Sequence, residues 1–573
     1  MSGSSSTSPR RGRDIIAALV AAGVQDFVLA PGSRSAPLAL PLAAAEREGD
    51  LRLHVRIDER SAGYTALGIA KATGRPVAVI TTSGTAAVNL HPAIVEASYA
   101  GVPLLAITAD RPPKLRGVGA NQTIDQVDVF SAHVRWSADL IAADDDASTA
   151  EMNAAEMNAA EMDTVRAAVA AAVQYEHPGP IHLNIAFDEP LVDLDEVRWQ
   201  QPAGVAGAPI HGVPSASPEE RRFPARGLVV VGDTGGFPEA AAAPTRIAEL
   251  AAALGWPVIS EPSGNATAGT HSLAHGALVL ADDEFTHAHP PEMVITIGRV
   301  GLHRSVARTV AGTAHHVVID PRPVGFISDP QRTAKEVLPV IPTLIACDVD
   351  PQWLPTWRSK DAQIAGRVTS RVAEIAPTQF TGVQVAMEVA QSLLPDDLFV
   401  VGASWPVRHV SMFAGPLQAR CLSNRGTSGI DGVISTAWGA ATTHPGHTVA
   451  LLGDLTALYD RNGLIAGPAE PRPKLTYVVI DNDGGGIFSQ LEQGAPAFAA
   501  DFERVFGTPH GVDLAPALAA PGVSVTSVDD LAGLRRAMAA ARAGMGDGVH
   551  VIIARCANRA TEMGLVRRLS SQI

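Results

Sequence analysis

Two short loops hold the oxygen-bearing residues with the most distinctive spacing in this chain. The first is Gly453-Asp454, at the end of an apolar run. The second is Asp481-Asn482-Asp483-Gly484-Gly485-Gly486, which follows a run over residues 475–480. Both runs have the composition of buried strands, and a helical stretch lies between them. In a parallel sheet the two loops therefore emerge at one carboxyl edge, where such folds bind ligands. Asp454 offers a carboxylate, Asn482 an amide oxygen, and the glycines let backbone carbonyls approach a guest. A Mg²⁺ carrying a diphosphate needs this kind of set. It takes six oxygens and divides them among one or two protein carboxylates, phosphates and water, while N–H groups at a helix start accept further phosphate oxygens. Either loop alone would read as a strand–turn–helix connection. The pair, separated by 482 − 454 = 28 positions, points to a shared ligand.

This spacing resembles the signature of thiamine diphosphate (ThDP) enzymes: Gly-Asp-Gly, a gap of this size, then Asn-Asn or a variant. The resemblance implies that Asp454, the Asn482 side chain and the Gly484 carbonyl hold Mg²⁺, with Mn²⁺ as an alternative, and that Gly453 and Leu455 belong to the cofactor site. Leu455 stands where the signature has a third glycine and Asp481 where it has the first asparagine. Neither change removes a proposed ligand. ThDP also needs a carboxylic acid at its pyrimidine ring, to favour the imino tautomer whose nitrogen deprotonates the thiazolium carbon. The cofactor carries the hard chemistry, and the protein supplies orientation and a proton relay. Glu59, after a strand at 51–57, is the candidate, because burial raises a glutamate's pKa and suits it to share a proton. By resemblance that glutamate comes from an N-terminal domain and serves a partner subunit, so the protein is at least a dimer, a homodimer or homotetramer. Ile430 is the bulky aliphatic residue expected to bend the cofactor.

The match narrows over longer stretches. APGSRSAPLAL at 30–40, RIDERSAGY at 56–64, ADRPP with GANQT within 109–123, SNRGTSGIDG at 423–432, and GDLTALYD with DNDGGGIFSQL resemble the 2-succinyl-5-enolpyruvyl-6-hydroxy-3-cyclohexene-1-carboxylate synthases of menaquinone biosynthesis. That family is implied to decarboxylate 2-oxoglutarate and add the product to isochorismate. Both substrates are polyanions, and guanidinium forks suit carboxylates because they bind bidentately and keep their charge. By resemblance Ser33, Arg34, Arg111, Gln122, Arg304, Ser404, Arg408 and Arg425 bind substrate carboxylates and hydroxyls. Ile487, Phe488 and Leu491 form an apolar wall beside the reacting carbon. His303 stands where the family is expected to have a lysine and is a poor anion binder at neutral pH. Another ThDP enzyme, such as an acetolactate synthase or an oxo-acid decarboxylase, would share Asp454, Asn482, Gly484 and Glu59 without needing as many arginines. A non-catalytic ThDP-fold subunit would not need both the metal loop and the glutamate.

The rest of the chain must position these residues. A length of 573 exceeds what one hydrophobic core organises, and strand–helix alternation predicts mostly parallel sheets. The expected fold class is α/β, with three doubly wound parallel-sheet domains of the ThDP-dependent decarboxylase type. The boundaries are a disordered leader at 1–13, an N-terminal pyrimidine-binding domain at 14–198, a Pro/Gly/Ala/Ser-rich linker at 199–226, a central domain at 227–350, a connection at 351–380, and a C-terminal diphosphate-binding domain at 381–573. The glycine-rich turn at 232–236 has the look of a nucleotide loop but is read as an ordinary doubly wound turn. An AEMNA repeat within 150–162 reads as an expanded surface helix without chemistry. The net charge of −15 argues against nucleic-acid partners. The 3 cysteines are scattered, fit a reducing cytoplasm and form no zinc pattern, and no apolar run is long enough for a membrane span. Replacing Glu59 by Gln is expected to preserve ThDP binding while lowering turnover by several orders of magnitude. Calorimetric binding and steady-state rates check this, and near-wild-type turnover would refute the acid role.

Overall fold

The computed structural model describes residues 8–141, 154–174, 177–193, 199–200, 220–235, 242–320, 327–343, 345–375, 378–544 and 548–571. The chain packs into two compact units. One comprises Met1–Val213, Ser435–Thr443 and Asn462–Pro471; the other comprises Pro214–Ile434, His444–Arg461 and Arg472–Ile573.

The first unit is built on β1 (Asp26–Leu29), β2 (Arg52–Val55), β3 (Val77–Thr81), β4 (Leu104–Asp110), β5 (Ser137–Leu140) and β6 (Ile181–Ala186). All pair in parallel, in the order β2-β1-β3-β4-β6-β5. Successive side chains point to opposite faces of a strand, so each central strand feeds two cores. Phe27, Ala78, Ile80, Leu105 and Ile107 enter one, while Val28, Val77, Val79, Leu104 and Ala106 enter the other. Burial on both faces explains why these strands read as continuous apolar runs.

Helix Ser8–Ala21 begins inside the stretch expected to be a leader. Its first turn is anchored by partners remote in sequence. The Ser8 hydroxyl donates to the Asp188 carbonyl, and the buried Arg11 pairs with Glu161. Polar residues fixed only by tertiary partners carry no local helix signal. The AEMNA repeat runs into helix Ala154–Ala172, and its first residues lie outside the described ones.

Helix Glu59–Thr73 is capped by Asp58, whose carboxylate accepts from the Ser61 N–H at 3.0 Å, and it ends at Gly74, with φ 69°. Its Gly68 has no room for a side chain, since a Cβ would lie 2.0 Å from the Thr436 carbonyl oxygen. Gly439 meets Thr65 in the same way. Segment Ser435–Thr443 thus packs backbone to backbone on this helix, which is why a late part of the chain belongs to the first unit.

The second unit holds two sheets. The central one uses β8 (Gly227–Val231), β9 (Val258–Ser260), β10 (Met293–Ile297), β11 (His316–Ile319) and β12 (Ala334–Leu338), in parallel order β12-β11-β10-β8-β9. Short strands β7 (Arg221–Phe223) and β13 (Ile345–Cys347) pair beside it. β7 falls at the end of the stretch expected to be a linker, and 201–219 of that stretch lie outside the described residues. The third large sheet uses β14 (Leu398–Val401), β15 (Arg420–Leu422), β16 (Thr448–Gly453), β17 (Leu475–Asp481), β18 (Val523–Val528) and β19 (Val549–Arg555). Its parallel order, β15-β14-β16-β17-β19-β18, repeats that of the first unit. The α/β class and the doubly wound parallel sheets agree with the sequence reading.

The stretch expected to be a connection, 351–380, is mostly helix Trp353–Ile375, with Trp353, Trp357, Ile364 and Val368 buried. These join Trp256, Trp405, Phe413 and Met563 in one apolar cluster, and the Trp353 indole donates to the Gly227 carbonyl at 2.7 Å. One core thus serves the central and C-terminal sheets. The glycine-rich turn after β8 is occupied by protein: a Cβ on Gly232 would meet the Arg299 carbonyl at 2.0 Å, and Asp233 bridges to Arg299. The ordinary-turn reading is the one the structure supports. Gly68→Ala is expected to destabilise the protein by about 1–3 kcal/mol through overpacking. A urea midpoint equal to wild type would show that the helix contact is not a constraint.

Candidate cofactor and substrate sites

Asp454 follows β16 and Asn482 follows β17, and Gly453 pairs with Ile480 in the register of these strands. The sheet therefore delivers both residues to its carboxyl edge, next to the point where strand order reverses between β14 and β16. The Asp454 carboxylate is 3% exposed. It accepts from the N–H of Leu455 at 2.6 Å, of Gly484 at 2.9 Å and of Asn482 at 3.1 Å. One side chain thus ties both loops together. Gly484 has φ 125°, and a Cβ there would lie 2.3 Å from the Gly507 carbonyl, so the turn requires glycine. The Asn482 amide donates its Nδ2 to Glu562 at 2.5 Å.

Two further groups converge on this point. Ligand atoms of Asp454, Asp481 and His510 all lie within 4.8 Å of one another. Burial raises the Asp454 pKa against the three N–H donors. Burial, then the neighbouring Asp454 charge, raises that of Asp481. His510 Nε2 lies 3.5 Å from Asp454 and 3.8 Å from Asp481 and makes no hydrogen bond. Two crowded carboxylates and an uncommitted imidazole nitrogen form a site that a divalent cation would stabilise. The residues therefore fit Mg²⁺ or Mn²⁺ carried by a phosphate-bearing cofactor. Gly453 and Leu455 flank Asp454 and are half-buried, as is Ile430, which leaves the Ile430 side chain partly accessible to a ligand.

The second unit also contains a cavity of about 580 Å³. Arg304, Arg408, Ile487 and Leu491, all expected at the substrate site, line it, together with Trp405 and Met412. Arg304 is exposed, at the start of helix Arg304–Gly312. Ser404 sits in the turn after β14 with φ 70°, a strained value for a residue with a side chain, and its carbonyl accepts from Arg408 at 2.8 Å. The Arg408 pKa is lowered by burial and by the like charge of Arg425, while Glu261 opposes the shift. Arg425 is itself buried, and its Nε has no hydrogen-bond partner. A carboxylate would relieve this repulsion. His303 also lines the cavity. Burial, then Arg408 and Arg425, pushes its pKa down to about 3, and it meets the Ser411 hydroxyl at 2.9 Å. It is neutral, in keeping with the doubt raised from sequence. Phe488 is not part of the cavity lining and packs on Phe506, with ring centres 6.0 Å apart.

The first unit gathers its own set at the carboxyl ends of β1, β3 and β4. Arg34 is buried and donates to the Phe187 carbonyl at 2.9 Å, and the exposed Glu189 stands 4.0 Å away. Arg111 is buried, and its pKa is lowered by burial and then by the charge of Arg34. It donates to the Ser83 hydroxyl. Gln122, at φ 54°, donates to the Ser83 carbonyl, and its own carbonyl accepts from the Ser83 hydroxyl, both at 3.0 Å. Ser33 is exposed, and Glu59 is half-buried at the first position of its helix. Ser83 was missed from sequence, although the Ser-Gly-Thr turn after β3 marked its place. Glu562 and His510 were missed because they lie far from the motif loops they touch.

Comparison with known proteins places these observations in context. Residues 10–129 match the family described as thiamine pyrophosphate enzyme, N-terminal TPP binding domain, and residues 405–554 match its C-terminal TPP binding domain. A 2-succinyl-5-enolpyruvyl-6-hydroxy-3-cyclohexene-1-carboxylate synthase of Thermobifida fusca is 41% identical over 98% of both chains. Proteins of the same name from Saccharopolyspora erythraea and Nocardia farcinica are 42% identical over 89% of both chains, and 40% identical over 91% of this chain and 92% of theirs. Replacing Asp454 by Asn removes a charge from the cation cradle and is expected to weaken Mn²⁺ binding by at least about 100-fold, a loss of roughly 3 kcal/mol. Electron paramagnetic resonance titration of free Mn²⁺ measures this, and unchanged uptake would rule out the cradle.

Proposed function

The chain belongs to the 2-succinyl-5-enolpyruvyl-6-hydroxy-3-cyclohexene-1-carboxylate synthase family, and on that premise we propose that it decarboxylates 2-oxoglutarate and adds the four-carbon remainder to isochorismate. The observation that carries this reading is likeness to a synthase along 98% of both chains. ThDP, when bound with Mg²⁺, supplies the electron sink for loss of carbon dioxide and for carbon–carbon bond formation.

The chain's own residues have distinct tasks. Asp454, Asn482 and the Gly484 carbonyl hold the cation, with Asp481 and His510 close enough to Asp454 to act on the same ion. Glu59 holds a proton at the pyrimidine ring, and Ile430 shapes the cofactor. The half-buried Arg408 and the buried Arg425 form one like-charged pair, and the buried Arg34 and Arg111 form another. Each pair is stabilised by a bound carboxylate, because guanidinium groups cannot escape repulsion by losing their charge. Trp405, Met412, Ile487 and Leu491 keep water from the cavity wall. Ser33, Gln122, Arg304 and Ser404 orient polar substituents, and Phe488 acts by supporting the segment that carries Ile487.

The assembly is a homodimer or homotetramer, in which Glu59 serves a cofactor held by a neighbouring chain. No described helix is long and apolar enough to cross a membrane, and the three cysteines are free; the proposed location is the cytoplasm. The test measures carbon dioxide release and product formation with 2-oxoglutarate and isochorismate, with and without ThDP and Mg²⁺. Turnover should require both additions and exceed that with pyruvate, whereas a preference for pyruvate would move the protein to another ThDP activity. Arg408→Ala should raise the KM for an anionic substrate by about 10–100-fold, the value of a charged hydrogen bond, and an unchanged KM would remove Arg408 from the site.

A further inference from the structure

The turn Asn482-Asp483-Gly484 is gripped by a helix that begins more than seventy positions later. Helix Arg559–Ser571 places Arg559 and Glu562 three positions apart, so they project from neighbouring points of one face. Both are buried, at 9% and 2% exposure. Glu562 Oε2 accepts from Asn482 Nδ2 at 2.5 Å, and the Arg559 guanidinium donates to the Asp483 carbonyl. Just before the helix, the Cys556 N–H donates to the Asp481 carbonyl at 2.8 Å and the Ala557 N–H to that of Phe380 at 2.7 Å. Three of these contacts, from Cys556, Arg559 and Glu562, fix the start of the helix to the end of β17 and the loop after it, and the Ala557 contact ties it to Phe380.

The Glu562 contact has a directional consequence. An asparagine amide can present either its oxygen or its NH₂ to a neighbour, and only the oxygen can ligate a cation. Burial pushes the Glu562 pKa up to about 7 against the Asn482 hydrogen bond, and in its carboxylate form Glu562 favours one of the two orientations, because a flipped amide would set oxygen against oxygen in a buried site. Among the described residues the Asn482 amide oxygen accepts no hydrogen bond, so it is left for a ligand. Glu562 Oε1 lies against Gly382, where a Cβ would come within 2.2 Å of it. Met563, Leu565, Val566 and Leu569 on the same helix are buried in the core shared with the central sheet, which anchors the grip.

We propose that the C-terminal helix is a latch on the cation site, with Glu562 as a positioning residue that turns the Asn482 oxygen toward the metal and Arg559 holding the adjoining turn. The proposal rests on the assignment of Asn482 as a cation ligand. Partners that orient metal ligands commonly contribute 10–100-fold in affinity. The test uses the full chain with ThDP and reads the Mn²⁺ dissociation constant by electron paramagnetic resonance, together with the rise in melting temperature on adding ThDP and Mn²⁺. Glu562→Ala should weaken Mn²⁺ binding about 10–100-fold and shrink that rise. Glu562→Gln, which keeps an acceptor of the same shape, should restore binding to within about threefold of wild type. A purely structural role would lower the metal-free melting temperature and leave affinity and the metal-induced rise unchanged. Should the alanine variant not fold, Glu562→Asp, one methylene shorter, should bind Mn²⁺ about 10-fold more weakly than Glu562→Gln. An alanine or aspartate variant that binds as wild type overturns the latch while the cation assignment stands. Wild-type protein that takes up no Mn²⁺ overturns that assignment and the latch with it.

Discussion

The Asp454 carboxylate is the constraint on which the cofactor half of this structure depends. It is buried, it accepts three backbone N–H groups, and two of these belong to the loop after the neighbouring strand. Such a group is costly to bury alone, since desolvation penalises its charge. The three donors compensate in part, and Asp481 beside it adds repulsion. A cation at that point would offset this repulsion, and the same three hydrogen bonds hold both loops in register.

The arginines follow the same logic with opposite sign. Arg34 and Arg111 are a buried pair of like charge, and the half-buried Arg408 stands with the buried Arg425 in another. In each, a buried acid opposes the repulsion without removing it: Asp110 acts on Arg111 and Glu261 on Arg408. Glu261 offsets the second pair: its Oε1 accepts from the Gly301 and Leu302 N–H groups, each at 2.7 Å, and its charge acts on both arginines. A carboxylate placed between the members of either pair would relieve the repulsion that remains. His303, held neutral by burial among these cations, shows how strongly the local field shapes the residues around it.

The scaffold that makes these placements possible is repetitive. Both six-stranded sheets share one strand order, and each puts its functional loops at the carboxyl edge. The helix Trp353–Ile375 plugs its tryptophans into the core under the central sheet, and the C-terminal helix ends in that same core. Cohesion of the second unit and the position of Glu562 thus have a common source in apolar burial.

The motif loops, the parallel α/β class, most strand positions and the arginines could be read from the chain alone, because each is a local pattern: an apolar run of strand length, a turn rich in oxygen and glycine, a spacing across one helix and one strand. The placement of Asp454 and Asn482 at one sheet edge was legible for that reason, and so was the poor fit of His303 to an anion at neutral pH, which its position beside Arg408 and Arg425 explains. The helix at Ser8, the helical character of 353–375 and the merging of two sheets around one core were decided by partners distant in sequence. The same is true of Ser83, His510, Arg559 and Glu562. A hydrogen bond between residues 80 positions apart leaves no periodicity or composition behind it, so only the folded chain could bring Glu562 to Asn482.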